Sequence, residues 1–487
     1  MKILLIRPPF AVEKFYFPRP INESLGLESL EAYLSPHHEI KTIDSIAEGW
    51  NKYWQLPEYP EIIFQGLQPE QLLKKINAFQ PEIIGITWLF STQNASVALI
   101  AGSIKKHFPD LPIIAGGPYP SADPIHILQN NTAIDMVVYG EGEITLKEIL
   151  DKKMTQLETI KGLAFRNKGT TAVNPPRPLI AELDQLPIPS RQPAFHQNYS
   201  KIFLYQSVYE RLKKLGLPEQ IHRTLSSRIS SLPLLSTIFY RLHNARNPAF
   251  LPTADIATSR GCPNHCTFCA IHNIWGHSWR MRSAENVLAE IDMLVKTFKV
   301  RHINFQDDNF NVLKERIIAI CRGIIDNKYP LTILAPSGAF VPTLDEEVLT
   351  WLKKAGLSSI RLSIESGNQD ILSRVIKKNI KLSKVKQIVD ACHKLHIYTE
   401  GAFIFGIPGE TIQTMQDSLN FARQTGFDRI IKFIFQPYPQ TELYDLCVAK
   451  GYLTDDYDPQ KTYVTGNHCY VKTESFSPED VLRIVNR

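Results

Sequence analysis

Three of the seven cysteines in this 487-residue chain stand together in the stretch TSRGCPNHCTFCAIHN: Cys262, Cys266 and Cys269, at spacings of four and three. Clustered thiolates hold zinc or an iron–sulfur cluster. Zinc wants a fourth ligand, which His265, His272 or His277 would supply, yet zinc sites usually pair their cysteines and no second close pair follows. Three cysteines alone suit a four-iron cluster in which one iron keeps an open position for a substrate or cofactor. Cys321, Cys392, Cys447 and Cys469 are scattered, and an odd total in a long chain argues for a reducing compartment rather than a disulfide framework.

A loop of this kind must be held by rigid elements. From residue 251 the runs ADIATS, HINFQDD, TILAPSG, SIRLSIES, YTEGAFIFGIPGE and RIIKFIFQPYP are each followed by a helical pattern or a loop. Six strands in this rhythm predict a partial (β/α)6 barrel over 251–450. The cysteines then follow its first strand, at the carboxyl ends where functional groups gather in such folds.

The first third has the same rhythm in MKILLIRPP, EIKTIDS, PEIIGITWLFST, LPIIAGGP and MVVYGEG, with helical patterns between. It predicts a doubly wound α/β domain over 1–150, a parallel sheet covered on both faces. Ligands sit beyond the carboxyl ends of such strands, here RPPF, TWLFST, GGPYPSADP and GEGE. Residues 151–198 read as a hairpin turning at Lys168–Gly169 followed by a proline-punctuated linker, and 451–487 as a tail too short for a domain. The segment 199–250 reads as a helical insert with an excess of basic residues, its second helix interrupted by Pro233. It is either a solvated helical pair with an ordinary core face or a basic amphipathic surface for a membrane or an apolar substrate.

Composition sets the outer bounds. With 44% hydrophobic and 21% charged residues the chain is ordinary globular material. A net charge of +5, from 54 basic and 49 acidic residues, is too slight to indicate a nucleic-acid partner. The apolar run of MKILLIRPPF is cut off by Arg7 and two prolines, a buried strand rather than a signal peptide, and no run is long enough for a membrane span. These features place the protein in the cytoplasm.

The spacing C-x3-C-x2-C, with the aromatic Phe268 before the last cysteine, resembles the signature of the radical S-adenosylmethionine (SAM) superfamily. WRMRSAENVLAEI, FQDDNF, SIESGNQ, FIFGIPGET and QPYPQTELYD resemble, in order, segments of those members that carry an N-terminal cobalamin-binding domain. The first α/β unit, with GGPYPSADP and VVYGEGE, resembles that domain. It lacks the D-x-H-x-x-G string that supplies a lower cobalt ligand in many cobalamin proteins, as members of the radical SAM group often do. The absence of cysteine before Cys262 separates the chain from methylthiotransferases, which use a second cluster upstream.

The resemblance implies roles residue by residue. Cys262, Cys266 and Cys269 hold a [4Fe-4S] cluster whose open iron chelates SAM. Asp307 and Asp308 stand where many members hold the SAM amino group with Gly-Gly-Glu; the alternative for Asp308 is a cap on a helix starting near Leu313. Glu365 stands where the family binds the ribose hydroxyls, or is a surface ion-pair member. Gly406 and Gly409, in GIPGE, turn beneath the adenine. Arg280 and Arg282 face the methionine carboxylate, unless Arg282 merely precedes a helix cap at Ser283. Gly116, Gly117 and Gly140 let the backbone approach the corrin, or simply turn from strand to helix.

The activity implied is a cobalamin-dependent methyltransferase that acts on an unactivated carbon through a 5′-deoxyadenosyl radical, with SAM as radical source and methyl donor. An oxidative cyclase or rearrangement enzyme shares the same segments, and a zinc-binding sensor is the non-catalytic alternative. The partners implied are a small-molecule substrate, hydrophobic or anionic, and an electron donor such as flavodoxin or ferredoxin.

Overall fold

The computed structural model describes residues 1–13, 21–167, 169–192, 198–199, 201–202, 205, 208–209, 212, 215, 219–231, 252–459 and 468–486. Two compact units emerge, one of Met1–Ile180, Gln185–Asp255 and Met293–His302, the other of Ala181–Asp184, Ile256–Asp292 and Ile303–Arg487.

In the first unit the strands are β1 (Lys2–Arg7), β2 (Glu39–Asp44), β3 (Ile83–Thr87), β4 (Ile113–Gly116), β5 (Met136–Val138), β6 (Leu163–Asn167) and β7 (Thr170–Val173). They form one sheet in the order β7-β6-β5-β4-β3-β1-β2. The run from β2 to β5 is parallel, and β6 and β7 add as an antiparallel hairpin, with Thr170 opposite Asn167. Alternate residues of β1 feed opposite cores, as the two-residue strand period demands. Leu4 and Ile6 pack with Val97, Ile100 and Ile104 of the helix Asn94–His107. Ile3 and Leu5 pack with Leu27 and Leu34 of Leu25–Leu34 and with Leu146 and Ile149 of Gly142–Asp151. Both faces are covered, the doubly wound arrangement, and the chain reverses direction across the sheet between β1 and β3, the place where such sheets open a ligand crevice.

A small antiparallel sheet of Phe10–Glu13, Ile62–Gln65 and Tyr53–Trp54 also belongs to this unit. Tyr199, Ile202, Tyr205 and Tyr209 are buried with Val12, Ile46, Trp50 and Ile63, so the described start of the basic segment has an ordinary core face. A helix spans Glu219–Ser231; Pro233 and the rest of that segment to Leu251 lie outside the described residues, as does the turn residue Lys168.

The second sheet is β8 (Thr253–Ile256), β9 (His302–Phe305), β10 (Thr332–Ala335), β11 (Leu357–Glu365), β12 (Tyr398–Phe405) and β13 (Arg429–Ile434), side by side in chain order. Adjacent strands from β10 to β13 pair in parallel. With helices following the strands, this is an open six-stranded section of a (β/α) barrel. Among the described residues no helix is long and apolar enough to cross a membrane.

Candidate functional site

The cysteine loop leaves the carboxyl end of β8 and is pinched at its base by a two-stranded ribbon, Ser259 opposite Met281 and Arg260 opposite Arg280. Inside it Cys266 is buried and Cys262 and Cys269 are half-buried, all three free thiols. Phe268, between the last two, is also half-buried. Thr267 straps the loop down, its N–H donating to Ile376 O at 3.1 Å and its hydroxyl to Val375 O at 2.8 Å. Asn309 Nδ2 donates to Cys262 Sγ at 2.9 Å.

Burial pushes the Cys266 thiol up to about 12 and the Cys269 thiol up to about 11, and raises Cys262 too. The cation of Lys378 works against that rise at all three. A metal centre taking these ligands must therefore expel their protons. A single zinc ion needs donors converging on one point about 2.0–2.3 Å away. No three His, Cys, Asp or Glu residues do so among the described residues. His265, His272 and His277 stack face to face instead, with His277 centroids 4.2 and 4.3 Å from the other two. A four-iron cluster asks something different: three separate thiolates, each on its own iron, which a loop with three free cysteines provides.

Around the thiols stand carboxylates with different environments. Asp307 is fully engaged: Thr258 donates its N–H and hydroxyl and Ser259 its hydroxyl to the carboxylate. Asp308, next to it, is half-buried. Burial, then the neighbouring Asp307 charge, raises it to about 7, against one N–H from Gly261, and its charge is felt at Cys262 and Cys269. Asp308 does not cap the helix Lys314–Asp326, whose N-cap residue is Leu313 and which has no side-chain cap.

Glu365 ends β11 with φ at 73°, in the left-handed region that a side chain disfavours, at a shift in the β11–β12 register. It is an ion-pair member, but a buried one: Lys378 Nζ lies 2.7 Å from its Oε1. Gly406 and Gly409 take φ of 83° and 101° in the turn after β12, where a side chain at Gly406 would meet Val481 at 3.1 Å. The same turn buries Glu410, whose Oε2 accepts from the Ile407 N–H at 2.9 Å while Oε1 has no partner; burial pushes this carboxyl up to about 8.

Of the two arginines, Arg282 is committed to the framework, held by Glu290, by Asn286 Oδ1 at 2.7 Å and by Ala257 O at 3.0 Å. Ser283 Oγ does cap the following helix at Asn286 N. Arg280 is half-buried, with its guanidinium 5.8 Å from the Trp275 ring centre. Lys378 carries no signal in composition or spacing. Lys378 lies 13 residues beyond Glu365 and reaches it only through a turn of π-helix, Ile371–Ile376.

In the first unit Gly116 ends β4 and Gly117 follows at φ 115°, its would-be Cβ 2.7 Å from Trp88 O. Gly140, after β5, has φ 77° with open space around it, and its N–H meets Ser121 Oγ at 3.0 Å. Phe90, beyond the end of β3, leaves 57% of its surface exposed at the same carboxyl edge.

Comparison with known proteins assigns both units. The Radical SAM superfamily matches residues 256–422 and the B12 binding domain residues 23–150. An uncharacterized methyltransferase of Pyrococcus horikoshii is 29% identical over 93% of this chain and 84% of its own length. Cytidylyl-2-hydroxyethylphosphonate methyltransferase of Streptomyces wedmorensis is 26% identical over 95% of this chain and 83% of its own. Among solved structures, the radical SAM methyltransferase TsrM of Kitasatospora setae, with tryptophan and a SAM analogue bound, superposes with a TM-score of 0.68 at 15% identity, covering 94% of this chain and 79% of that one. The chain thus carries a radical SAM domain and a B12-binding domain, and the two domains imply a [4Fe-4S] cluster, SAM and cobalamin as its cofactors.

Proposed function

We propose that this enzyme is a methyltransferase that places a methyl group on an unactivated carbon of a small, hydrophobic or anionic molecule. The observation that carries the reading is a three-cysteine loop at the barrel's strand ends in the same chain as a B12-binding fold. Of three relatives aligned over more than nine-tenths of the chain, the two more similar, at 29% and 26% identity, bear methyltransferase names, which supports it; the third, at 22%, is named an anaerobic magnesium-protoporphyrin IX monomethyl ester cyclase. When bound, the cluster with SAM supplies a 5′-deoxyadenosyl radical that takes a hydrogen atom, and cobalamin supplies the methyl group.

The chain's own residues bind and orient. Cys262, Cys266 and Cys269 each hold one iron. Asp308 receives the SAM ammonium, because a carboxyl raised to about 7 by burial ionises fully when a cation arrives. Asp307, satisfied by Thr258 and Ser259, keeps β8 and β9 in place. Glu365 takes the ribose hydroxyls, the Gly406–Glu410 turn underlies the adenine, and Arg280 faces the methionine carboxylate while Arg282 holds the frame. Gly116, Gly117 and Gly140 border the corrin. The electron comes from a flavodoxin or ferredoxin in the cytoplasm, where seven free thiols persist.

The test is anaerobic turnover with methyl-labelled SAM, a reductant and candidate substrates. Label in a carbon-methylated product, together with S-adenosylhomocysteine and 5′-deoxyadenosine, is expected. An unlabelled cyclised or oxidised product would overturn the reading in favour of an oxidative cyclase.

A further inference from the structure

Lys378 is a buried cation at the centre of this site. Its Nζ lies 2.7 Å from Glu365 Oε1 and 2.7 Å from Ser363 O, and each side chain of the pair keeps only 10% of its surface exposed. Both acceptors belong to the end of β11, where the register shifts and Glu365 enters its left-handed conformation. A strained backbone of this kind persists only where its surroundings hold it. Lys378 supplies that hold from the side-chain end.

The turn that delivers Lys378 also reaches two other parts of the site. Ile371–Ile376 is a turn of π-helix, a rare form that occurs frequently at functional sites. Its carbonyls at Val375 and Ile376 receive Thr267, the residue after Cys266. Val375 packs under the adenine-side turn, where a Cβ on Gly409 would meet it at 3.1 Å.

We infer that Lys378 is a positioning residue for SAM: by holding both the Glu365 carboxylate and the strand end that carries it, it fixes the group proposed for the ribose hydroxyls. The inference rests on the SAM-binding role proposed for Glu365.

The experiment compares the anaerobically reconstituted full chain with Lys378→Met, Glu365→Gln and the double variant at matched iron content. SAM affinity is read by equilibrium dialysis. Lys378→Met is expected to weaken SAM about 10- to 100-fold, the usual range for losing a charged hydrogen bond. The double variant is expected to bind SAM no more weakly than Glu365→Gln, because the lysine acts through that carboxylate. Wild-type SAM affinity in Lys378→Met, or losses that add, would overturn the inference. If Lys378→Met holds no iron, Lys378→Arg takes its place: charge kept and clamp distorted, it should bind SAM more weakly, and wild-type SAM affinity there would overturn it. A wild-type protein that loads iron but binds no SAM would instead defeat the proposed function, before any variant is compared.

Discussion

Asn309 donates a hydrogen bond to the sulfur of Cys262 at 2.9 Å. The bond joins the loop after β9 to the loop after β8, beside Asp308, and the Asn309 carbonyl separately receives the Trp279 indole N–H at 2.9 Å. Hydrogen bonds to cluster sulfurs stabilise the reduced state. Asn309→Ala removes the bond to sulfur but keeps the carbonyl contact. Its cluster potential should fall by roughly 40 mV, the one-electron equivalent of about 1 kcal/mol, with the fold unchanged. Redox titration by EPR checks this.

Asp307 and Asp308 are neighbours with opposite duties, and substitution should separate them. Asp307→Asn removes the charge and sets an amide donor against the Thr258 N–H that the second carboxylate oxygen accepts, and should destabilise the protein by about 2 kcal/mol. Asp308→Asn removes a charge that burial already disfavours, so the melting temperature should hold or rise slightly while SAM affinity drops at least about tenfold. Thermal melts and SAM binding measured on the two variants decide it.

Glu410 gives the protein a pH signature. Burial raises its folded pKa to about 8 from the ordinary 4.5, so the folded state prefers the protonated carboxyl. Its contribution to stability is fully present below about pH 4.5 and is lost as pH rises to about 8, a change of up to about 5 kcal/mol. Glu410→Gln, which cannot ionise, should therefore gain on the wild type across that window. Denaturant unfolding of the two proteins at pH 5 and pH 8 measures the difference, and a constant gap would contradict it.

The glycines at the first unit's strand ends differ in what they demand. Gly117→Ala drives a Cβ to within 2.7 Å of Trp88 O at positive φ, and should cost about 2–3 kcal/mol and loosen cobalamin. Gly140→Ala meets only the conformational penalty, about 1 kcal/mol. Unfolding free energy and retained cobalt report both effects.

Most of the scaffold was legible in the sequence because buried parallel strands are written as short runs rich in aliphatic residues: all six barrel strands and the five parallel strands of the first unit fall on runs named from sequence, though β8 begins one residue and β11 two residues before theirs. The small sheet of Phe10–Glu13, Tyr53–Trp54 and Ile62–Gln65 was not, since its strands are short and irregularly spaced with aromatic and polar residues. Cys262, Cys266 and Cys269 announced themselves by spacing. Lys378 could not, because its role arises from a π-helical turn and from burial beside Glu365, and neither leaves a local pattern. The choice between Asp307 and Asp308 likewise needed the three hydrogen bonds that engage one of them and not the other.

The most direct test of the two-cofactor account is metal analysis of the full chain, purified without oxygen from cells supplied with iron and cobalamin. About four irons and one cobalt per chain are expected, with the iron lost when Cys262, Cys266 or Cys269 is replaced by alanine. Zinc in place of iron, or four irons with no cobalt, would contradict it.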